Sequence, residues 1–367
     1  MSDLASRSYY PALDGMRGMA ILLVVIYHNF NFINYTFFGW LGVDLFFVLS
    51  GFLITQILLQ TSDRKNYLST FYAKRALRIF PLYYAALIVF LLILPAFLKD
   101  TSIINYYTSN QLWLWVFLQN WLYIFKQPSG FGLLNHFWSL AVEEQFYLLW
   151  PIIVLFIKKP KHLLIFIAFI LILVIALRLY VWIERIENLH YYNLYTFSRL
   201  DGICIGCMVA LVQNIDKQFL SKNNTWIVLL FAFLNFLFYF INKFSRFSFP
   251  FLAMIGYTTF AMIFGLLVNI GTTEPSHWIT WIFNNSFLKF FGKISFGLYV
   301  IHWPVYILMR EQVSSWVNIN SPINTEIITS ILLTLIAIIL SIVSYYTFEK
   351  RFLLIKEVFS KKMSKLN

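Results

Sequence analysis

The chain has 367 residues, of which 60% are hydrophobic and 12% are charged, and its mean hydropathy is +0.72. This composition excludes an ordinary soluble globular protein and predicts a polytopic membrane protein. The formal net charge of +12 would suggest a nucleic-acid partner in a soluble protein. Here the basic residues lie in loops between apolar runs, where membrane topology accounts for them, and we expect no nucleic acid.

Hydropathy predicts an all-α membrane bundle of about ten spans in a single domain, 1–367. Lysine and arginine are concentrated in alternate loops and in the C-terminal tail, so the positive-inside rule places both termini in the cytoplasm. We expect the basic tail after Glu349 to lie against anionic membrane lipids, and the aromatic loop 99–137 to lie along the membrane surface. The predicted spans are 12–33, 39–60, 76–98, 138–157, 162–182, 192–213, 225–242, 249–270, 288–309 and 325–348.

The first span carries an arginine and a deeper histidine, Arg17 and His28. Eleven steps of about 100° return the two side chains to one face, about 16 Å apart along the helix axis. An ionisable pair inside an apolar segment suggests a functional site, and a neutral imidazole can take a proton from a hydroxyl near neutral pH. His28 is therefore a candidate general base. The alternative is a buried histidine that is satisfied by a backbone carbonyl.

The next two spans add a carboxylate and an arginine pair. Asp44 lies inside the second span, where it either pairs with a cation, orients His28 or faces water at the start of the helix. Arg75 and Arg78 share a face at the predicted cytoplasmic end of the third span. Their guanidinium groups could clamp phosphate bidentately, although positive-inside anchoring explains them equally well.

Adjacent acids, Glu143 and Glu144, follow Trp138 at the start of the fourth span. Glu143 is a candidate catalytic residue, and Trp138 and Glu144 are candidates to contact substrate or line its pocket. The two acids could simply complement the positive end of a helix dipole. Because they point about 100° apart, at most one of them readily faces a pocket, and we place Glu143 there.

Polar residues recur in later spans. Arg199 and Asp201 are two positions apart and do not face each other, so each is expected to meet a partner on a different helix. Ser295, Tyr299 and His302 fall on one helical stripe and are candidates to line a pocket.

Taken in order, these stretches resemble membrane acyltransferase family 3, which includes bacterial O-antigen, capsule, peptidoglycan and exopolysaccharide O-acetyltransferases. The resemblance extends from about residue 10 to about residue 350. It rests on Arg17-x10-His28, the Phe-Phe-Val-Leu-Ser-Gly-Phe run, Arg75-x-x-Arg78, the Trp-Ser-Leu-x-Val-Glu-Glu-Gln-Phe-Tyr block and Ser295-x3-Tyr299-x2-His302.

The resemblance implies an enzyme of the bacterial inner membrane that uses acyl-CoA, usually acetyl-CoA, from the cytoplasm. The acyl group would pass to a hydroxyl of a carbohydrate or glycolipid at or beyond the outer face. Family members often carry an additional periplasmic SGNH-type domain after the bundle, and we expect none in this chain. We therefore expect that a separate periplasmic acyltransferase partner takes part or that the bundle acts alone.

The family chemistry gives each candidate a role. Arg75 and Arg78 would hold the CoA phosphates, Arg17 would orient CoA near the mouth, and His28 would deprotonate the acceptor hydroxyl beside the thioester. Direct transfer is the first expectation, and an acyl-histidine intermediate is the alternative. No spacing of His, Asp or Glu suggests a metal, and we expect none.

A membrane transporter is the competing class of function. In it, polar side chains within the spans would form a proton or substrate path: Arg17, His28, Glu143, Arg199 and Asp201. The order of the motifs and the arginine pair favour the enzyme. Uptake that is coupled to protons and independent of CoA would support the transporter.

Overall fold

The computed structural model describes residues 9–97, 102–126, 132–184, 195–216, 219, 224–241, 256–317 and 321–365. Within these ranges the regular secondary structure is helical and no strand occurs, so the predicted all-α membrane bundle is confirmed. Five helical stretches of the described chain are long and apolar enough to cross a membrane, so the predicted count of about ten is not confirmed. They are Asn34–Thr61, Tyr67–Phe97, Asn135–Phe156, Pro160–Val181 and Pro322–Met363.

The helices follow the order of the predicted spans, and each predicted span overlaps at least one of them. Their bounds are α1 Pro11–Asn29, α2 Leu41–Thr61, α3 Tyr67–Leu87, α4 Leu94–Phe97, α5 Ser102–Ser109, α6 Gln111–Trp115, α7 Gln119–Phe125, α8 Trp138–Phe156, α9 Pro160–Ile183, α10 Thr196–Arg199, α11 Asp201–Ile215, α12 Asn224–Ile241, α13 Tyr257–Thr273, α14 Trp278–Phe283, α15 Ser286–Val317, α16 Pro322–Ser344 and α17 Lys350–Lys365. Three shorter apolar helical stretches of the described chain are Asp201–Ile215, Trp226–Leu237 within α12, and Tyr257–Thr273.

Helix α1 packs closely against α14 and α15 because glycines lie at their contacts. A Cβ on Gly15 would lie 1.7 Å from the Phe283 carbonyl oxygen, and one on Gly292 would lie 1.9 Å from that of Asp14. Small residues of this kind let helix backbones approach closely. In a membrane, where lipid tails are as apolar as the helix surfaces, the van der Waals contacts of such close packing hold helices together. The approach of α15 to α1 sets the distance between the polar residues that the two helices carry.

A second close contact joins α2 to α11. A Cβ on Gly51 would lie 2.1 Å from the Ile203 carbonyl oxygen, and one on Gly206 would lie 2.1 Å from that of Val48. Cys207 is buried in the same contact, with its sulfur 3.6 Å from the Gly51 carbonyl oxygen. Its thiol and that of Cys204 are free.

The aromatic segment 99–137 folds back onto the bundle in its described part, as the short helices α5, α6 and α7. Tyr107 and Tyr123 are buried there, and the Tyr107 hydroxyl donates a hydrogen bond to the Asn135 side chain. These tyrosines therefore belong to the core of the bundle, whereas the sequence places the whole segment at the membrane surface.

The basic C-terminal tail forms α17, which packs against α3. Lys356 of α17 is partly buried at this contact. The tail therefore contributes a wall to the part of the protein that carries the arginine pair.

Candidate active site

A cavity of about 180 Å³ opens among helices α1, α2, α3, α8 and α15. Its walls combine apolar side chains from α2 and α15, such as Phe46, Leu53 and Phe296, with a set of polar and charged ones. The polar set consists of Arg17, Ser50, Arg75, Arg78, Ser139, Glu143, Ser295 and Tyr299. Six of the side chains that the sequence singles out are thus brought to one cavity, and they come from four of its five helices.

Three arginines face this cavity: Arg17, Arg75 and Arg78. The guanidinium of Arg75 lies 3.7 Å from the centre of the Tyr147 ring, and its Nε is 3.9 Å from Glu144 Oε1. The positive charges of Arg17 and Arg75 act on Arg78 at short range. This end of the cavity is therefore electropositive and suited to an anion.

The adjacent acids separate as their helical geometry requires. Glu143 lines the cavity and its Oε1 accepts a hydrogen bond of 2.8 Å from the Ser50 hydroxyl. Glu144 turns to another face, where it lies beside Arg75 in a different cavity. Of the two acids, Glu143 is therefore the one that lines this cavity.

At the end of the cavity away from the arginines, the hydroxyl groups of Tyr299 and Ser139 are hydrogen-bonded to each other. The Tyr299 hydroxyl donates to the backbone carbonyl of His136 and lies 2.6 Å from the Ser139 Oγ. Because a carbonyl can only accept, the single Tyr299 proton is directed to His136, and Ser139 must donate to Tyr299. Ser295 faces the cavity from one turn earlier on α15, and its hydroxyl donates to the Gly292 carbonyl.

His28 and His302 form a hydrogen-bonded pair beyond Tyr299. The His302 Nε2 is 3.3 Å from the His28 Nδ1. Each Nδ1 also lies 2.9 Å from one or two backbone carbonyl oxygens of its own helix. For His28 this is the carbonyl of Val24, and for His302 it is the carbonyls of Leu298 and Tyr299. Carbonyls accept only, so both Nδ1 atoms carry hydrogen. The Nε2 lone pair of His28 is then free, and the side chain is partly exposed.

A third histidine, His136, adjoins this pair. Its ring centre lies 5.2 Å from that of His302 and 6.4 Å from that of His28. Both ring nitrogens are buried without a hydrogen-bond partner. Sequence reasoning passed over His136, although it directly precedes the Phe-Trp-Ser segment that begins α8. Among the described residues, no three His, Cys, Asp or Glu side chains are arranged to hold a metal ion.

Asp44 lies in a buried ionic cluster instead of beside His28. Its carboxylate accepts a hydrogen bond from Arg199, whose guanidinium lies 5.5 Å from the Trp138 ring centre. Arg178 of α9 meets Asp201 at 2.9 Å in the same region. Arg199 and Asp201 thus find partners on different helices, as predicted. Trp138 packs against this cluster, and neither it nor Asp44 is among the residues that line the cavity.

Comparison with known proteins identifies the family. A family profile described as an acyltransferase domain matches residues 10–346. The chain belongs to membrane acyltransferase family 3. No solved structure matches this family member.

Curated relatives of the chain include proteins of three bacteria. The peptidoglycan O-acetyltransferase OatA of Listeria monocytogenes is 30% identical over 333 residues, covering 83% of this chain and 50% of that protein. The putative peptidoglycan O-acetyltransferase YrhL of Bacillus subtilis is 30% identical, covering 93% and 54%. A putative O-acetyltransferase of Staphylococcus aureus is 33% identical, covering 81% and 50%. The chain thus spans about half the length of these relatives.

Proposed function

We propose that this protein is an integral membrane O-acetyltransferase. It moves an acyl group, with acetyl as the first candidate, from acyl-CoA to a hydroxyl of a cell-surface carbohydrate. The carrying observation is the cavity that runs from three arginines to Tyr299, with the His28–His302 pair directly beyond. The names of two relatives make peptidoglycan the first acceptor to test.

The arginine end suits the phosphates of the donor. Arg75 is held in place by Tyr147 and Glu144, so its fork is ordered before a ligand arrives. Arg17 and Arg78 add two further charges to the same mouth. Apolar side chains of α2 and α15 line the route from there toward Tyr299, which suits the pantetheine arm and its thioester.

His28 supplies the general base through its Nε2. That atom takes the proton of the acceptor hydroxyl while the hydroxyl oxygen bonds to the acyl carbonyl carbon. The carbon–sulfur bond then breaks, and the CoA thiolate leaves with the proton from the His28 imidazolium. His302 accepts a hydrogen bond from the Nδ1–H of His28. The hydrogen therefore stays on Nδ1, and the lone pair stays on Nε2, the atom that takes the proton.

Tyr299 and Ser139 lie between the cavity and the histidine pair. For the acyl group to reach His28, Tyr299 must give up its hydrogen bond to the His136 carbonyl. Side-chain rotation of one tyrosine would open this path, and the acceptor would approach the partly exposed side of His28.

We place the protein in the bacterial inner membrane with both termini in the cytoplasm, so that the arginine mouth would face the cytoplasmic pool of acyl-CoA. Membrane lipids surround the bundle. A separate periplasmic acyltransferase is the partner to seek if the chain alone does not complete transfer.

The transporter alternative needs a path of charged residues inside the spans, and two of its five residues, Arg199 and Asp201, are each held in an ion pair with another buried side chain. Arg199 binds Asp44, and Arg178 binds Asp201 at 2.9 Å, with all four side chains buried. Neutralised pairs of this kind stabilise a bundle but offer a moving ion no open site.

The test is transfer of radiolabelled acetyl from acetyl-CoA to peptidoglycan and other surface glycans in membranes that hold the native chain, His28→Ala or His162→Ala. His162 is an exposed histidine at the start of α9 and serves as the matched control. We expect label with the native chain and His162→Ala, and a loss of about 10²-fold or more with His28→Ala. Equal labelling in all three would remove His28 from the chemistry. If no acyl-CoA gives any labelling, the proposal that the protein is an acyltransferase is wrong.

A further inference from the structure

His136 is a buried histidine whose ring makes no hydrogen bond. The residue is 3% exposed, and neither its Nδ1 nor its Nε2 has a partner. The backbone carbonyls of Tyr299 and Val300 act on the ring from α15, but neither completes a hydrogen bond with it. A buried polar group without a partner costs free energy, and a site that retains one calls for a functional explanation.

The ring of His136 adjoins the groups that the proposed transfer uses away from the arginines. Its centre lies 6.4 Å from that of His28, 5.2 Å from that of His302 and 5.4 Å from that of Tyr299. The distance between the His136 and His28 rings leaves room for a small acyl group to lie between a nitrogen of each. His136 therefore lies beside the place where His28 would meet the thioester.

Tyr299 covers His136. The Tyr299 side chain lines the cavity and its hydroxyl donates to the His136 carbonyl, whereas the His136 ring is not among the lining groups. The proposed function requires Tyr299 to give up this hydrogen bond and rotate. That rotation withdraws the tyrosine ring from His136 as well as from the path to His28, so an arriving acyl group would meet both histidines.

The proposed chemistry needs a hydrogen-bond donor at this place. Addition of the hydroxyl to the thioester puts negative charge on the acyl carbonyl oxygen, and a donor aimed at that oxygen stabilises the transition state. His28 handles the proton of the hydroxyl, and the three arginines line the other end of the cavity. A neutral imidazole always carries one N–H, and such an N–H can polarise a carbonyl.

We infer that His136 is a further catalytic residue, whose ring N–H donates a hydrogen bond to the acyl carbonyl oxygen. This inference rests on the proposed function, because the donor and the reaction come from it. As the new carbon–oxygen bond forms, an electron pair of the carbonyl moves onto its oxygen, where the His136 N–H binds it. The pair returns when the carbon–sulfur bond breaks and the CoA thiolate leaves. His136 keeps its own proton throughout.

The first test compares acetyl transfer by the native chain, His136→Phe, His136→Gln and His162→Phe in membranes at matched amounts of protein. We expect kcat to fall about 10²-fold in His136→Phe, with KM for acetyl-CoA unchanged. His136→Gln should lose less, because its amide retains an N–H donor. His162 is exposed on α9, so His162→Phe should match the native chain. Equal losses of kcat in His136→Phe and His136→Gln would contradict the donor role.

A second acyl donor tests the contact itself. In this analogue of acetyl-CoA, sulfur replaces the carbonyl oxygen, and sulfur accepts hydrogen bonds weakly. The native chain should prefer the oxygen donor about tenfold more strongly than His136→Phe does, as expected for one hydrogen bond to a charged oxygen. A variant that folds poorly lowers both rates and leaves their ratio unchanged. The same ratio in the native chain and His136→Phe would therefore make His136 a structural residue and overturn the inference.

The same measurements separate this inference from the proposed function. Transfer that is lost in His28→Ala but retained in full in His136→Phe would keep the enzyme and remove His136 from its chemistry. If the native chain transfers no acyl group from any acyl-CoA, the proposed function is wrong and the role of His136 falls with it.

Discussion

The Nε2 of His302 lies 3.3 Å from the Nδ1 of His28, although 274 positions separate the two residues in the chain. Each ring also directs its Nδ1 to a carbonyl of its own helix. A single tautomer satisfies all of these contacts, with hydrogen on both Nδ1 atoms. The pair therefore fixes the orientation of His28 and presents its Nε2 lone pair.

Replacing His302 should slow acetyl transfer without weakening donor binding. We expect His302→Ala to lower kcat about 10- to 100-fold, the range seen when a residue that orients a functional histidine is removed, with KM for acetyl-CoA unchanged. His302→Gln should retain more activity, because its side-chain oxygen can still accept from His28. Initial rates at varied acetyl-CoA in membranes test this. Equal kcat in His302→Ala and the native chain would leave His302 with no positioning role.

The sequence groups Ser295, Tyr299 and His302 on one helical stripe, but the structure divides them between two places. Ser295 and Tyr299 face the cavity, whereas His302 is directed to His28. The stripe on α1 divides in the same way, because Arg17 lines the cavity and His28 lies beyond Tyr299. Helical periodicity gives the angle between two side chains of one helix. It does not tell which side chain of a neighbouring helix is inserted between them.

The arginine pair should control the affinity for the donor. Arg75→Lys keeps the charge but loses the planar group that stacks on Tyr147 and the fork that holds phosphate bidentately. We expect KM for acetyl-CoA to rise about tenfold in Arg75→Lys and further in Arg75→Gln. Arg351→Lys, at an exposed site, should match the native chain. The experiment is acetyl transfer over a range of donor concentrations, and an unchanged KM in Arg75→Gln would contradict the phosphate role.

The Asp44–Arg199 pair should matter for stability, because both partners are buried. Removing one partner leaves an unpaired charge, so Asp44→Ala is expected to cost about 3–5 kcal/mol of unfolding free energy. The double variant Asp44→Leu with Arg199→Met should recover much of this. Glu326→Gln, which breaks the partly exposed pair with Arg310, is the control and should cost less than about 1 kcal/mol. Thermal unfolding in detergent ranks the variants, and a loss in Asp44→Ala no larger than in Glu326→Gln would contradict the prediction.

The partners of Arg199 and Asp201 illustrate what the sequence can establish. Two residues that cannot face each other must meet other helices, and this followed from spacing alone. That Arg199 meets Asp44 and Asp201 meets Arg178 follows only from the packing of α2, α9 and α11. His136 was missed because a single histidine outside any helical stripe gives no periodic signal, and only its proximity to His302 marks it.

The glycine contact between α1 and α14 predicts a position at which the smallest substitution is costly. In Gly15→Ala the added carbon would lie 1.7 Å from the Phe283 carbonyl oxygen, and the two backbones would have to separate. We expect this separation to lower the free energy of unfolding by about 1–3 kcal/mol, and the melting temperature with it. Because Arg17 and His28 lie on the same helix, acetyl transfer should fall as well. Gly265→Ala is the matched control, since its new carbon would meet side-chain methyl groups of Ile205 and Val209, at 2.8 and 3.2 Å, and no backbone atom. Thermal unfolding and transfer rates of both variants decide the matter: a Gly15→Ala protein as stable and active as Gly265→Ala would mean that α1 can move away from α14 without disturbing the site.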